Sequence, residues 1–387
     1  MIEFNFIKEC TGCSACVDGC PQNCIRMVKS SYGYLIPSID ALTCIKCGLC
    51  DRICPTLDTK HIEYGGRVVY SAYHKDESIR IQGSSGSVFY ALASKVIENG
   101  GVVVGAAFDE RLKLKHQVAT NLDELEPLLK SKYLQSDTSG IYVQIKNHLK
   151  EGKVVLFCGT PCQCNAVKNF IPESLSKKLI LVDFICHGVP SQDNFDKSIS
   201  LLEKKEKKKI ISYSFRQKIE GNVHGYEIIY NDGNEKPQKE SGLWTSQPFY
   251  RGFKSYIAFR QSCYYCKHVG VNRSSDITLA DFWGLQIIDK TVKDFDKGYS
   301  MVIINSDKGG AIFGDIKEVL CVKTFDVVDA IKHNSSYTKC VNDSLVSKAY
   351  RYCYKNLPYS IVEPLFFSKV YNILLRIKGK LRFIMNR

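Results

Sequence analysis

The cysteines near the amino terminus form two runs with identical spacing. Each run reads Cys-x2-Cys-x2-Cys-x3-Cys-Pro, the ligand spacing of a site that holds a pair of [4Fe–4S] clusters. Thiolates at this spacing can wrap a tight loop around one cubane, and the proline then turns the chain away. The runs are Cys10, Cys13, Cys16, Cys20 with Pro21, and Cys44, Cys47, Cys50, Cys54 with Pro55.

The fourth cysteine of each run is predicted to cross to the other cluster. A helical turn carries it past its own loop, so it reaches the second cubane and not the first. Gly12 and Gly48 lie where the backbone must approach inorganic sulfide closely. The predicted ligand sets are Cys10, Cys13, Cys16 and Cys54 for one cluster, and Cys20, Cys44, Cys47 and Cys50 for the other.

Zinc is the alternative for paired Cys-x2-Cys elements, but it explains less of the pattern. A tetrahedral zinc site would use four of these cysteines and leave the proline-terminated fourth thiols without a role. Between the runs, residues 24–29 and 34–37 are predicted to form a hairpin across the cluster pair. Cys24 is a ninth thiol, and packing as a small buried side chain accounts for it.

Composition favours metal ligation by thiols over disulfides. The 387 residues include 18 cysteines, and the start, Met1 to Asn5, lacks the basic and apolar segments of a signal peptide. We therefore expect a cytoplasmic protein whose cysteines stay reduced. The net charge of +13 would suit an acidic redox partner, an anionic small molecule or a membrane surface. No nucleic-acid role is expected, because the lysine-rich block 204–209 is predicted to be the solvated end of a helix.

Alternating apolar patterns after residue 66 predict an α/β domain. Strands are predicted at 67–73, 101–108, 153–157 and 178–185, with helices at 87–99, 139–150 and 162–170. Alternation of this kind is typical of a largely parallel sheet covered by helices. Ligand sites in such folds collect at the carboxyl ends of the strands.

Three loops of this region carry residues that could bind a cofactor. The segment Gly83-Ser84-Ser85-Gly86-Ser87 opens a predicted helix, where a cofactor pyrophosphate could bind, although a plain helix cap explains the pattern as well. Loops 159–164 and 186–190 each follow a strand and carry cysteines. Together with a later Cys-x2-Cys they could form a further iron–sulfur site, a redox-active thiol pair, or ordinary packing. The four candidate ligands are Cys162, Cys186, Cys263 and Cys266.

His187 and the segment 281–284 are two further candidates. His187 lies in a loop after a strand, where it is either a structural histidine or a proton donor in catalysis. The aromatic residues of Asp281-Phe282-Trp283-Gly284 could flank a ring system or pack in the core.

Six segments, in chain order, resemble the coenzyme F420 hydrogenase/dehydrogenase beta-subunit family over about residues 1–300. They are residues 83–87, 100–106, 131–137, 159–163, 186–190 and 263–284. The resemblance implies FAD together with [4Fe–4S] clusters, and it makes ligand roles for the four later cysteines more plausible. It also implies flavin contacts at Gly83, Ser84, Ser85, Gly86 and Ser87, and at Lys132, Tyr133, Gln135 and Ser136.

The predicted fold is α+β, with a dicluster ferredoxin-like module followed by an α/β flavin-binding domain with a largely parallel sheet. We expect an oxidoreductase that takes electrons from a reduced donor such as ferredoxin and reduces a small-molecule acceptor. The alternative is a non-catalytic electron-transfer subunit that feeds a catalytic partner. The predicted domains are 1–60, 61–190, 191–310 and a basic helical tail at 311–387, whose end either packs on the domain or lies on a membrane surface.

Overall fold

The amino-terminal module repeats its structure as it repeats its sequence. The computed structural model describes residues 6–57, 66–219, 222–231, 233 and 237–368. Ser14 and Gly48, at equivalent positions of the two cysteine runs, both have left-handed φ angles, 60° and 71°, and each precedes a short helix. The module consists of α1 (Phe6–Glu9), α2 (Ala15–Asp18), β1 (Ile25–Lys29), β2 (Leu35–Ile39) and α3 (Leu49–Arg52).

The predicted hairpin between the runs is present. β1 and β2 pair antiparallel, with Met27 opposite Pro37, and both of these side chains face the first cysteine run. The chain then continues into the larger domain. Its first elements are β3 (Val68–His74), α4 (Glu77–Gln82), α5 (Val88–Glu98), β4 (Val102–Phe108), β5 (Leu114–Ala119), α6 (Leu122–Leu125), α7 (Ile141–Lys150), β6 (Val155–Gly159), α8 (Pro161–Phe170), β7 (Leu179–Phe184) and α9 (Gln192–Glu206).

A small antiparallel sheet and the carboxyl-terminal helices follow. The remaining elements are β8 (Lys209–Ile219), β9 (Asn222–Asn231), β10 (Gln238–Leu243), α10 (Pro248–Lys254), β11 (Ile277–Asp281), α11 (Leu285–Ile288), β12 (Ser300–Ile304), α12 (Asp307–Gly314), β13 (Leu320–Phe325), α13 (Val327–Ile331), α14 (Ser335–Thr338), α15 (Leu345–Asn356) and α16 (Tyr359–Phe367). Single 3-10 turns lie at Glu126–Leu128, Glu173–Lys178, Trp244–Ser246, Gln261–Tyr265, Phe295–Lys297 and Lys317–Val319.

The central sheet has eight strands in the order β13-β3-β12-β11-β7-β6-β4-β5. Its four middle strands, β11, β7, β6 and β4, run parallel, and the outer pairs are antiparallel. The predicted α+β class with a largely parallel sheet is therefore confirmed, with antiparallel strands added at both flanks. The sheet draws strands from all three predicted segments after residue 60, including β13 in the segment predicted to be a helical tail.

Burial explains why the middle strands are parallel. Val155, Leu156 and Phe157 of β6 are fully buried, as is Val182 of β7, because α5 covers one face of the sheet and α7 and α8 cover the other. Strands covered on both faces read as continuous apolar runs, which is the pattern in the sequence. The carboxyl ends of β6, β7 and β11 meet at one edge, and the cysteine-bearing loops project from that edge.

The last described helices pack on the domain. Val362, Phe366 and Phe367 of α16 are buried against Ile257 and Ala258. Residues 369–387, the end of the predicted basic tail, lie outside the described residues, so the predicted membrane contact is untested. Within the part of the chain that the structure describes, no helix combines the length and the apolar composition needed to cross a membrane.

The contact of α12 with the start of β11 makes a stability prediction. A Cβ atom at Gly309 would lie 2.2 Å from the Asp276 carbonyl oxygen, whereas at neighbouring Gly310 it would meet only the Ile304 Cγ2 atom at 3.6 Å. Gly309→Ala must therefore push α12 off the sheet, and we expect it to lower the free energy of unfolding by about 3 kcal/mol. Gly310→Ala, in the same helix, should change stability little. Chemical denaturation followed by circular dichroism compares the two, and equal effects would contradict the packing described.

Candidate functional site

Four thiols of the amino-terminal module surround a common cavity. Three come from the first cysteine run and the fourth from the end of the second run, as the spacing predicts. All four are at most 9% exposed. Burial, with the nearby thiols, raises the pKa of Cys13 to about 12. The bare site therefore favours neutral thiols, and a bound metal would have to displace their protons. This inner cavity is lined by Cys10, Cys13, Cys16 and Cys54, with Thr11, Ser14, Met27, Pro37 and Thr56.

A second, outer cavity holds the other predicted set. Cys20 lies here with the cysteines of the second run and not with those of its own run. Cys47 is exposed, so this cavity opens more to solvent than the inner one. Among the described residues, no group of three or more Cys, His, Asp or Glu converges enough to bind a single metal ion. The thiols thus line a cavity and do not converge on the position of one metal ion. Cysteines lining the outer cavity are Cys20, Cys24, Cys44, Cys47 and Cys50.

The later cysteines form a third group beneath the sheet edge. Cys162 opens α8 after β6, Cys186 follows β7, and Cys263 and Cys266 lie at a 3-10 turn. Each of the four interacts electrostatically with the other three. Burial, with these like charges, raises the pKa of Cys162 and of Cys186 to about 12. The structure thus brings together the four cysteines that sequence analysis could only group by position.

Two loops of the third group repeat the hydrogen bond of the first cysteine run. In that run the Gly12 N–H donates to the Cys10 Sγ atom at 3.2 Å. The Gly188 N–H donates to Cys186 Sγ, and the His268 N–H to Cys266 Sγ, both at 3.4 Å. Backbone N–H groups aimed at thiolate sulfur stabilise negative charge there and tune iron–sulfur sites. These N–H groups therefore favour the thiolate and oppose the effect of burial on the pKa of Cys186 and Cys266.

Arg273 supplies positive charge to the third group. Its side chain is 2% exposed and pairs with buried Asp183 at 3.4 Å. One guanidinium nitrogen, Nη2, is buried without a hydrogen-bond partner among the described residues. The same charge lowers the pKa of Cys186 and Cys266, opposing the effect of their burial. A bound anionic group would satisfy both the unpaired nitrogen and the buried charge.

Arg260 joins the inner cavity to the third group. This buried guanidinium donates to the Cys10 carbonyl oxygen at 3.0 Å, to Gln135 Oε1 at 2.9 Å and to the Leu35 carbonyl oxygen. It also lies over the Tyr34 ring, 4.9 Å from the ring centre. One residue before Cys263, the Ser262 hydroxyl donates to the same Cys10 carbonyl at 3.0 Å. The first cysteine loop is thus fixed directly against the loop that carries Cys263.

Gly12 is required by this contact. Its φ is +69°, and a Cβ atom there would lie 2.2 Å from Arg260 Nη2 and 2.6 Å from Gln135 Nε2. Gln135 in turn donates to the carbonyl oxygens of Thr11 and Gly12, at 2.8 and 3.1 Å. Thr138 donates to the Cys13 carbonyl at 2.6 Å. The cluster loop therefore uses its carbonyl groups to dock on the larger domain.

The loop 83–87 lies beside a buried ion pair that sequence analysis did not identify. Arg216 of β8 pairs with Asp281 at 2.9 Å and donates to the Ser84 carbonyl and to the Tyr133 hydroxyl. Lys218, two residues on, donates to the Ser85 carbonyl at 2.6 Å. Both cations thus reach the loop 83–87 from the end of β8, two residues apart in the sequence. That period-two spacing was the only signal in the sequence.

The hydroxyl groups of this loop are bonded within the protein. Ser84 accepts from the Ser131 N–H at 2.7 Å, Ser85 donates to the Tyr299 carbonyl at 2.7 Å, and Ser87 donates to the Ile79 carbonyl at 2.8 Å. Gly86 packs on β3, because a Cβ atom there would lie 2.1 Å from the Ala72 carbonyl. The serines thus fix the loop, and the positive charge beside it comes from β8.

The four residues predicted to contact the flavin in segment 132–136 make their contacts in four different places. Tyr133 reaches the Arg216 pair and stacks on Phe253 with ring centres 4.2 Å apart. Lys132 donates to two carbonyls of its own turn, and burial lowers its pKa to about 7. Gln135 binds the cluster loop, and the Ser136 hydroxyl accepts from Gln163 of α8 at 3.0 Å. Of these four residues, only Tyr133 contacts the Arg216 ion pair beside the loop 83–87.

His187 lies near the Arg216–Asp281 ion pair, whose surroundings are called the Arg216 region below, and the charge of Asp281 acts on its ring. Its Nδ1 atom is 2.7 Å from the Ser336 hydroxyl, and its ring stacks on Tyr256. Burial, reinforced by the charge of Lys254, lowers its pKa to about 4. This shift favours the neutral imidazole, which still carries one N–H group, and the predicted role of His187 as a proton donor stays a prediction. Trp283 stacks on His224 with ring centres 5.3 Å apart, and the Arg216 charge acts on His224, so this aromatic pair belongs to the Arg216 region.

Comparison with protein families supports this organisation. Residues 9–57 match the 4Fe-4S dicluster domain, and residues 152–330 match the family described as the C terminus of the coenzyme F420 hydrogenase/dehydrogenase beta subunit. The resemblance inferred from the sequence is confirmed: the chain combines a 4Fe-4S dicluster unit with a region that matches this beta-subunit family, as an iron–sulfur electron-transfer protein would.

Other comparisons add little to this assignment. A solved F420-reducing [NiFe] hydrogenase complex from Methanosarcina barkeri, derivatised with xenon, contains a chain that is 17% identical. The match covers 66% of this chain and 81% of that one, with a TM-score of 0.42. The comparison with curated proteins finds no match.

Replacement of Arg260 should loosen the cluster module from the domain. In Arg260→Lys the new side chain keeps the positive charge. It cannot reproduce the planar guanidinium, which donates to three carbonyl groups. We expect the free energy of unfolding to fall by about 2–4 kcal/mol, because buried acceptors lose their donors. Arg52→Lys, an exposed arginine of α3, is the matched control and should be neutral. Chemical denaturation measures both, and a neutral Arg260→Lys would show that Arg260 does not hold the module.

Proposed function

We propose that this chain is an iron–sulfur flavoprotein oxidoreductase. It would take electrons from a reduced donor such as ferredoxin and deliver them to a small organic acceptor, with two [4Fe–4S] clusters, a third cluster and FAD as its cofactors. The observation that carries the proposal is the order of the sites in space. The outer cavity lies beside the inner cavity, the inner cavity beside the third thiol group, and the third thiol group beside the Arg216 region. We also propose a cytoplasmic location.

Hydrogen bonds and electrostatic interactions link each site to the next one in this order. Cys16 of the inner cavity interacts electrostatically with Cys50 of the outer one. Tyr142 donates to the Cys13 carbonyl at 2.6 Å and also interacts with Cys162 of the third group. Cys186 of the third group is followed directly in the chain by His187, which lies near Asp281 in the Arg216 region. Iron–sulfur clusters held by these thiols would supply one-electron transfer.

The third thiol group fits a further cluster better than a packed core. Its thiols are partly buried and close together, its loops aim N–H groups at sulfur, and Arg273 offers an unpaired nitrogen. Cysteines that only pack need none of these features. A thiol pair that forms a disulfide would use two of the four cysteines and leave the others unexplained.

Iron content tests the third cluster. Anaerobically prepared full-length protein should contain about twelve irons, since each [4Fe–4S] cluster holds four. Cys186→Ala should reduce this to about eight. Cys340→Ala is the control: this thiol lies near Cys266 but donates to the Tyr264 carbonyl at 3.2 Å and belongs to no proposed ligand set. Eight irons in the unaltered chain, with no further loss in Cys186→Ala, would reject the third cluster and leave the other two in place.

The Arg216 region has the charges and aromatic side chains that a bound flavin would require. Positive charge from Arg216 and Lys218 stands beside a rigid loop that precedes α5, and the Arg216 Nε atom is buried without a hydrogen-bond partner among the described residues. Tyr133 contacts Arg216 directly, and Trp283 stacks on His224, whose pKa is lowered by burial and by the Arg216 charge. A bound flavin would supply the change from one-electron to two-electron chemistry.

Loss of the Arg216 charge should weaken flavin binding. Arg216→Met removes a buried charge-assisted contact, so we expect the flavin Kd to rise about tenfold to a hundredfold. The flavin Kd of Arg216→Lys should lie between those of the unaltered chain and of Arg216→Met. Lys209→Met, at the exposed start of the same strand, should bind the flavin normally. Flavin fluorescence during titration of the reconstituted protein measures these affinities. Unchanged binding in Arg216→Met would place the flavin elsewhere.

The electron donor is proposed to dock at the outer cavity. Leu42 and Ile45 beside it are 97% and 60% exposed, and Cys47 is exposed as well. An exposed site shortens the distance from a docked donor, whereas the buried inner cavity cannot be approached. The donor would be an acidic protein, given the net charge of +13.

The alternative is a relay subunit that performs no substrate chemistry. The matched family is described as a beta subunit, which favours this alternative. Turnover of a small acceptor by the isolated chain, loaded with its cofactors and a reduced donor, would support the oxidoreductase. Activity only in the presence of a second, copurifying protein would support the relay.

A further inference from the structure

A fifth thiol, Cys24, lies in the outer cavity without belonging to either ligand set. It lines the cavity together with the four proposed ligands and is 8% exposed. Its Sγ atom is 3.3 Å from that of Cys20. A [4Fe–4S] cluster takes four thiolates. The cavity therefore holds one thiol more than a cluster would use.

The backbone fixes Cys24 at this position. Asn23 has a left-handed φ of 50°, and its N–H donates to the Cys20 carbonyl at 3.2 Å, so the chain reverses between the two cysteines. The Cys24 carbonyl then accepts from the Asp40 N–H at 2.8 Å, and β1 begins at the next residue. The hairpin thus holds the thiol of Cys24 against that of Cys20.

Chemistry decides the direction of this contact once a cluster is bound. A thiolate that ligates iron carries no proton, so Cys20 can only accept. Cys24 is not a ligand and keeps its S–H group, which is a weak donor. Hydrogen bonds to the sulfurs of a cluster favour its more negative, reduced state and so raise its reduction potential.

We propose that Cys24 is a positioning residue that donates its S–H to the ligating sulfur of Cys20 and thereby raises the potential of the outer cluster. This rests on the proposed function, because it requires a cluster in the outer cavity. The competing account is packing: Cys24 contacts Cys16 and Ile25 in a small apolar cluster. Packing predicts no effect on potential.

The test is a redox titration of the full chain, followed by electron paramagnetic resonance and paired with iron quantitation. In Cys24→Ala the reduction equilibrium of one cluster should become less favourable by up to about tenfold, equivalent to about 59 mV for a one-electron couple. Cys24→Ser keeps a donor and should restore the potential, although serine packs less well in an apolar site. Cys353→Ala, a half-buried thiol of α15 outside both cavities, should change nothing.

Each other outcome overturns the inference. Unchanged potentials in Cys24→Ala with full iron content would make Cys24 a packing residue. Equal shifts in the alanine and serine variants would exclude a hydrogen-bond donor. Fewer irons in Cys24→Ala would make Cys24 a ligand. Absence of iron at the outer site of the unaltered chain, seen as an iron content that Cys47→Ala does not lower, would instead reject the proposed function itself.

Discussion

The buried guanidinium of Arg260 is the contact on which the arrangement of the sites depends. It is 2% exposed, yet every direction of its fork is used, toward the first cysteine loop, the β1–β2 hairpin and Gln135. An unpaired buried charge is costly, so this residue tolerates only one relative placement of module and domain. That placement sets the inner cavity beside the third thiol group. The glycine opposite Arg260, Gly12, is fixed by the same requirement.

The three thiol sites differ in exposure. The outer cavity includes an exposed cysteine, the inner cavity is lined by buried cysteines, and the cysteines of the third group are partly buried, with buried Arg273 beside them. The Arg216 region beyond contains Arg216, Asp281 and Lys218, which are polar and largely shielded. A low-dielectric surrounding strengthens the effect of every fixed charge near a redox centre. The protein thus has different environments in which successive centres can differ in potential.

Sequence analysis predicted the parts of the molecule that depend on local spacing. The cysteine runs, the hairpin and the buried strands β4, β6 and β7 all follow from short-range patterns, and the lysine-rich block does end helix α9, where Lys207 turns left-handed. Arg216, Lys218 and Arg260 were not identified, because a single basic residue acquires its role only from partners far away in the chain. Arg260, for example, bonds to Cys10 across 250 positions. The sequence brought Gln135 and Ser136 into the flavin hypothesis, whereas their contacts lie with the cluster loop and α8.

The exchange of fourth cysteines between the runs has a consequence for biosynthesis. Because Cys54 completes the inner cavity and Cys44 to Cys50 enclose Cys20, neither cavity exists until both runs have left the ribosome. Translation proceeds at about 5–20 residues per second, so the first run waits a few seconds for its partner. During that interval its thiols have no completed cavity, and iron delivered then would find only three of the four corners. Metal loading and chain emergence are thereby coupled in time.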